Sequence, residues 1–171
     1  MRRRLPAPVN PPAAAPPRPP ARRTVVLATF AVPVHAEGER VAVEAALETR
    51  ARLVLANVRV VPVAPLSLTL HGVPGLTLPH EEALDEVRAV AARAAARGVD
   101  VLLLRVGTRR PERALLDVVR EQRAGLLVLA PDPDALGARR LRRVGRRVRT
   151  RAGCLVWVAP DGVVDSRRAL R

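Results

Sequence analysis

The sequence predicts a single doubly wound α/β domain, a parallel sheet covered by helices on both faces. Three observations carry that prediction. Five short apolar runs recur along the chain, flanked by Gly, Pro or charge, and most are rich in Val and Leu at consecutive positions. Such strands are built for burial on both faces, as in parallel sheets. Helical periodicity fills the intervals between the runs, and strand–helix alternation means βαβ units. The length of 171 residues fits one such domain with a tail.

The elements follow in order. Residues 1–23 run from Arg2-Arg3-Arg4 through Pro11-Pro12 to Pro19-Pro20. Proline fixes φ and lacks an N–H, so this stretch reads as a disordered, polyproline-like tail. The domain reads as residues 24–160, with 161–171 as a short C-terminal tail. The strand runs are Val25 to Phe30, Leu53 to Val61, Val99 to Val106, Leu126 to Ala130 and Leu155 to Val158. Glu37 to Ala51 forms the first helical pattern, with Val43, Ala46 and Leu47 on one face. Glu81 to Arg97 sets Leu84, Val87, Ala91 and Ala94 at helical spacing, with acids in its first turn and Gly98 as its cap. Pro111 opens the third helix, Leu115, Val118 and Val119 face inward, and Gly125 closes it. The fourth runs from about Gly137 to Arg151, with Leu141, Val144 and Val148 as its apolar stripe. The long segment Pro62 to His80, dense in Pro and Gly, reads as a loop of the functional or mobile kind.

Composition sets limits on function. The aromatics are Phe30 and Trp157 alone, so the core is built from Val, Leu and Ala. There are 30 arginines, no lysine and 16 acids, for a net charge of +14. Residues 1–23 carry six arginines and residues 138–151 carry eight, neither stretch with an acid, and together they account for the whole net charge. The rest of the chain is neutral. A single cysteine, Cys154, excludes an intramolecular disulfide and a Cys-based zinc site. The arginines at the start precede Pro-Ala-Pro rather than an apolar stretch, so no secretory signal is expected and the cytoplasm is the expected location. No apolar run is long enough to span a bilayer.

Three stretches resemble universal stress proteins: "TVVLAT" as the first strand, "EEALDEVRAVAARAAARGVDVLLLRVGTRRPERALLDVVREQRAGLLVLA" as the helix–strand–helix–strand centre, and "RRVRTRAGCLVWVAP" as the last helix turning into the fifth strand. Cys154 falls where the family often has cysteine. The resemblance covers roughly residues 24–160. It implies an adenine-nucleotide alpha-hydrolase-like fold: a five-stranded parallel sheet of order 3-2-1-4-5, usually dimeric.

ATP-binding members of that family carry an Asp at the end of strand one and a motif G-x2-G-x9-G-[S/T] after strand four. Here the Asp position reads Phe30. The first two motif glycines read Ala130 and Pro133, and the final Gly-Ser pair falls near Arg142 and Arg143. Gly137 and Gly145 are present at the wrong spacing. The residues themselves argue the same way. In an open α/β sheet the ligand crevice lies beyond the carboxyl ends of the strands where chain direction switches, here between strands one and four. A phosphate nest needs free backbone N–H groups. Pro131 and Pro133 delete two, Asp132 and Asp134 repel phosphate, Asp134 is expected to cap the fourth helix, and Phe30 is expected to plug the floor. No nucleotide or other cofactor is therefore expected.

The fourth helix exposes Arg139, Arg140, Arg142, Arg143, Arg146 and Arg147. This row reads either as a solvated outer face or as a binding face for a polyanion or acidic partner, since Arg forks match phosphate and carboxylate. Exposed aromatics for base stacking are missing, so any nucleic-acid binding would be backbone-driven and salt-sensitive. Catalysis finds no foothold. His35, His71 and His80 sit at no metal-ligand spacing, Ser67 and Ser166 lack a nucleophile-elbow context, and Glu81, Glu82, Asp85 and Glu86 read as a helix-start charge cluster. Cys154 reads as a buried, inert thiol. Strand five is expected at a sheet edge, with Leu155 and Trp157 as candidates for a homodimer interface, Trp157 reading equally as core. The sequence therefore reads as a non-catalytic, cytoplasmic stress-response module that binds an unidentified protein partner. The alternatives are an Arg-driven nucleic-acid or polyanion binder, and a degenerate nucleotide-binding protein in which Arg142 and Arg143 replace the lost donors.

Overall fold

Strand formation follows the apolar runs closely. A computed structural model describes residues 24–61 and 81–160. The two expected tails, the loop 62–80, and His71, His80, Ser67 and Ser166 lie outside the described residues. The elements are β1 (Thr24–Thr29), α1 (Ala36–Thr49), β2 (Leu53–Val60), α2 (Glu81–Ala96), β3 (Val101–Thr108), α3 (Pro111–Glu121), β4 (Ala124–Leu129), α4 (Pro133–Leu136), α5 (Ala138–Arg149) and β5 (Leu155–Val158). The strands form a five-stranded sheet in the order β3-β2-β1-β4-β5. Every pairing is parallel, with Val26 beside Val54 and Leu127, and Val128 beside Trp157. Both the parallel sheet and its order agree with expectation.

Burial explains why the runs are apolar at consecutive positions. Every residue of β1 is buried. Alternate residues feed two separate cores. Val26, Val54, Leu127 and Val156 pack under α3, α4 and α5 with Leu115, Val119, Leu136, Leu141 and Val148. Leu27, Leu53, Val128 and Trp157 pack under α1 and α2 with Ala42, Val43, Val87 and Val90. The helix stripes thus face the sheet from both sides. β3 differs: as an edge strand it has a single neighbour, and its residues are half-buried or exposed.

Two local expectations are corrected. Gly125 does not close the third helix. That helix ends at Glu121, the chain reverses through Arg123 at φ 49°, and Ala124 is already paired with Thr24 in β4. The reversal needs a left-handed residue, and Arg123 takes that conformation one step before the strand begins. Nor does Asp134 cap the helix that carries the arginine row. A one-turn helix, α4, intervenes. Asp132 caps it, its carboxylate accepting from the Asp134 N–H at 2.9 Å. The chain then turns on Gly137, at φ 88°, into α5. Asp-Pro-Asp supplies both the cap and the proline that one short helix needs, so the acids belong to α4.

Candidate functional site

The chain direction switches at β1, which lies between β2 and β4, so the crevice expected for a ligand opens beyond Thr29 and Leu129. The chain itself crosses it. Val34 and Pro131 form an antiparallel bridge across the mouth. His35 N–H donates to Ala130 O at 2.9 Å, and Asp132 N–H donates to Pro33 O at 2.8 Å. The segment after β4 is where a phosphate nest would need free amides. Ala130 N–H instead donates to Ala28 O, Asp134 N–H to the Asp132 carboxylate, Leu136 N–H to Asp132 O, and Gly137 N–H to Pro133 O. Pro131 and Pro133 have no N–H to offer.

The floor is equally occupied. Phe30, 9 % exposed, joins the core formed with Leu136, Leu141 and Val144. The hollow beside its ring is about 140 Å³, bounded by Pro111, Glu112, Arg140 and Arg143. A second, of about 70 Å³, lies between Pro133, Arg142 and Pro160. Small-molecule sites run to roughly 300 Å³ and more, so neither is large enough. The turn after β1 is fixed from beneath. Ala31 sits at φ 52°, its N–H donating to Asn57 Oδ1 at 3.0 Å, while Thr29 Oγ1 donates to Val32 O at 2.6 Å. Asn57 is only 4 % exposed, a polar side chain in the middle of β2 that this turn satisfies. Sequence reasoning passed over Asn57; its signal was a lone amide inside an apolar run. A larger hollow of about 470 Å³ lies at the opposite edge of the sheet, around Thr24, Arg52, Asp100 and Gln122. It is at the amino ends of the strands, away from where open sheets of this type hold ligands.

The arginine row lies on the exposed side of α5. Leu141, Val144, Gly145 and Val148 bury one side of α5. Arg139, Arg142, Arg143, Arg146 and Arg147 line a shared concavity of about 430 Å³ on the outside. Other helices pair arginines within themselves, Arg40 with Glu37 and Glu44, Arg88 with Asp85 and Arg120 with Asp117, or with a neighbouring helix, Arg93 with Glu39. On α5, Arg147 donates to Glu112 at 3.0 Å. Arg139, Arg140, Arg142, Arg143 and Arg146 meet no carboxylate among the described residues. A second concavity, of about 480 Å³, continues from Arg147 between α3 and α5, lined by Arg110, Arg113, Arg120 and Arg151. The sequence did not show that α3 extends the row, because the two helices meet only through the fold.

The remaining candidates are dispersed. His35 stands at the N-cap of α1, its ring Nδ1 buried without a hydrogen-bond partner among the described residues. Cys154 packs half-buried against the α5-side core, and loss of solvation pushes its thiol up to about 11, so it stays protonated at neutral pH. Among the described residues no cluster of His, Cys, Asp or Glu is suited to a metal ion, and no helix is long and apolar enough to cross a membrane. β5 is an edge of the sheet. Trp157, 7 % exposed, packs in the core beneath α1 within the protomer, and Leu155 is half-buried.

No protein-family model matches the chain, and no curated protein sequence does. Solved structures do match. A universal stress protein in complex with cAMP is 23% identical, with a TM-score of 0.56, over 81% of this chain and 97% of its own. A universal stress protein family protein from Arabidopsis thaliana with AMP bound is 18% identical, with a TM-score of 0.51, over 85% of this chain and 98% of its own. The chain has the fold of universal stress proteins, in agreement with the resemblance drawn from its sequence.

Proposed function

We propose that this chain is a universal stress protein of the kind that does not bind ATP, acting as a non-catalytic regulatory or interaction module in the cytoplasm and pairing as a homodimer through β5. One observation carries the reading: the amides of Ala130, Asp132, Asp134, Leu136 and Gly137 after β4 donate within the chain, and that segment is bridged to the turn after β1. Related folds hold cAMP or AMP, so the architecture is competent for nucleotides. A phosphate entering this mouth would have to displace backbone hydrogen bonds already made, and would meet the carboxylates of Asp132 and Asp134. The same residues argue against catalysis, because Asp132 holds the α4 cap and Phe30 is core.

Dimerisation is supported by the edge position of β5, whose outer N–H and C=O groups are placed to pair with a second copy. Because Trp157 is packed inside the protomer, the pairing would rest on backbone groups and Leu155. Native mass spectrometry of the purified chain tests both parts. The expected spectrum is a dimer with no mass added. A monomer at micromolar concentration would remove the β5 pairing, and one nucleotide mass per chain would remove the closed crevice.

A further inference from the structure

The α3–α5 face borders the crevice hollows through Arg142, Arg143 and Arg147 and extends outward from them, and its charge calls for an occupant. We infer that it docks on the phosphate backbone of double-stranded DNA. Arg139, Arg142, Arg143, Arg146 and Arg147 fall at successive i, i+3 and i+4 positions and form one row opposite the buried stripe. At 1.5 Å per residue the row is about 12 Å long. The second concavity adds Arg110, Arg113 and Arg151 alongside, with Arg147 shared between the two; Glu112 lines it as the partner of Arg147, and Arg113 lies 4.0 Å from Asp117. Like charges at these spacings repel by a few tenths of a kcal/mol per pair, and the row lacks the local acids that other helices of this chain supply.

The surroundings select the occupant. A protein partner needs apolar anchors at the centre of its interface, and a membrane surface needs apolar groups to insert. Among the described residues the exposed large hydrophobics are Val60 and Val61, at the end of β2 and outside both concavities. Single-stranded nucleic acid needs exposed aromatics to stack its bases. The aromatics here, Phe30 and Trp157, are both buried. What remains is a row of guanidinium forks, which serves a backbone of regularly spaced phosphates. The row, about 12 Å long, matches the width of the major groove of B-form DNA, about 12 Å, so its forks can reach phosphates on both rims, whereas the major groove of A-form RNA is narrow. The recognition would be independent of sequence, since contacts to phosphates position a protein on the duplex without reading its bases.

The test is fluorescence anisotropy of a labelled 20-base-pair DNA duplex with the full chain over a range of salt. Engaging roughly five phosphates gives a log–log salt slope of about −4.5 and a loss of about 500-fold between 50 and 200 mM salt. The triple variant Arg142→Glu, Arg143→Glu, Arg146→Glu should bind at least 100-fold more weakly at 50 mM salt. The milder triple Arg→Gln should lose at least tenfold with an unchanged thermal melt, which separates binding from folding. A control with the same charge change elsewhere, Arg50→Glu, Arg88→Glu, Arg97→Glu, should lose only a few-fold. The inference is overturned by no binding at 50 mM salt, or by equal losses in control and triple variant. It is overturned too if the α5 variants bind normally, which would assign binding to the six arginines of residues 1–23. Tighter binding to a single strand, an RNA duplex or phosphatidylserine vesicles would also overturn it. Duplex anisotropy and nucleotide titration are separate readouts, so a failure of DNA binding leaves the reading of the crevice standing.

Discussion

Replacing Gly38 by alanine is expected to destabilise the domain by about 3 kcal/mol, the upper end of what overpacking costs. Gly38 is buried in α1 where that helix crosses the segment after β4. A Cβ built there would overlap the Cβ of Ala130 and touch the Trp157 ring at 3.4 Å. Two effects compete. Alanine is the better helix former by about 1 kcal/mol. Against that, the overlap has no flexible side chain to absorb it, because Ala130 is fully buried and bonded through its N–H to Ala28 and through its carbonyl to His35. Relief requires α1 to lift from the sheet, which breaks the His35–Ala130 bond and unpacks Trp157. The overlap therefore wins, and the melting temperature should fall by roughly 6–10 °C. Adding Ala130→Gly to the Gly38→Ala variant should recover most of the loss by removing the opposing Cβ. A Gly38→Ala variant that melts with the wild type would show that α1 does not sit this close.

Truncating Phe30 to alanine is expected to cost about 3 kcal/mol and to create no nucleotide site. The stability loss follows from emptying a core position shared with Leu136, Leu141 and Val144. The second half of the expectation is the more telling. Without the ring, the hollow of about 140 Å³ beside it enlarges toward the size of a ligand pocket. Volume alone does not hold a phosphate. The amides of Ala130, Asp132, Asp134, Leu136 and Gly137 still donate within the chain, and Pro131 and Pro133 still offer none. Thermal melts with and without 1 mM AMP check both halves: a lower melting temperature that AMP leaves unchanged is expected. An AMP-dependent rise in the variant would mean that Phe30 alone closes the site.

Much of the fold is legible in the sequence because its cause is local. Val and Leu at consecutive positions can satisfy both faces of a buried parallel strand, and Pro111 and Gly137 punctuate as their backbone chemistry dictates. The two amides missing after β4 are legible for a similar reason: proline removes a donor wherever it stands. The less visible features depend on partners far along the chain. Asn57 acquires meaning only when the turn after β1 arrives above β2. Glu112 meets Arg147 across 35 residues because α3 and α5 pack side by side. Gly38 looks like a weak point in a helix until Ala130 is placed against it. The capping acid was misplaced for a different reason, since Asp132 and Asp134 both suit an N-cap and the intervening one-turn helix decides between them.

The most direct measurement is calorimetric titration of the full chain with Mg-ATP at low and at physiological salt. The closed crevice predicts no saturable one-site binding at physiological salt, and any heat seen at low salt, arising from the arginine face, should vanish as salt is added. Tight binding that resists salt, at one site per chain, would contradict the account, because it would mean that Phe30, Pro131 and Pro133 leave room and donors for a nucleotide.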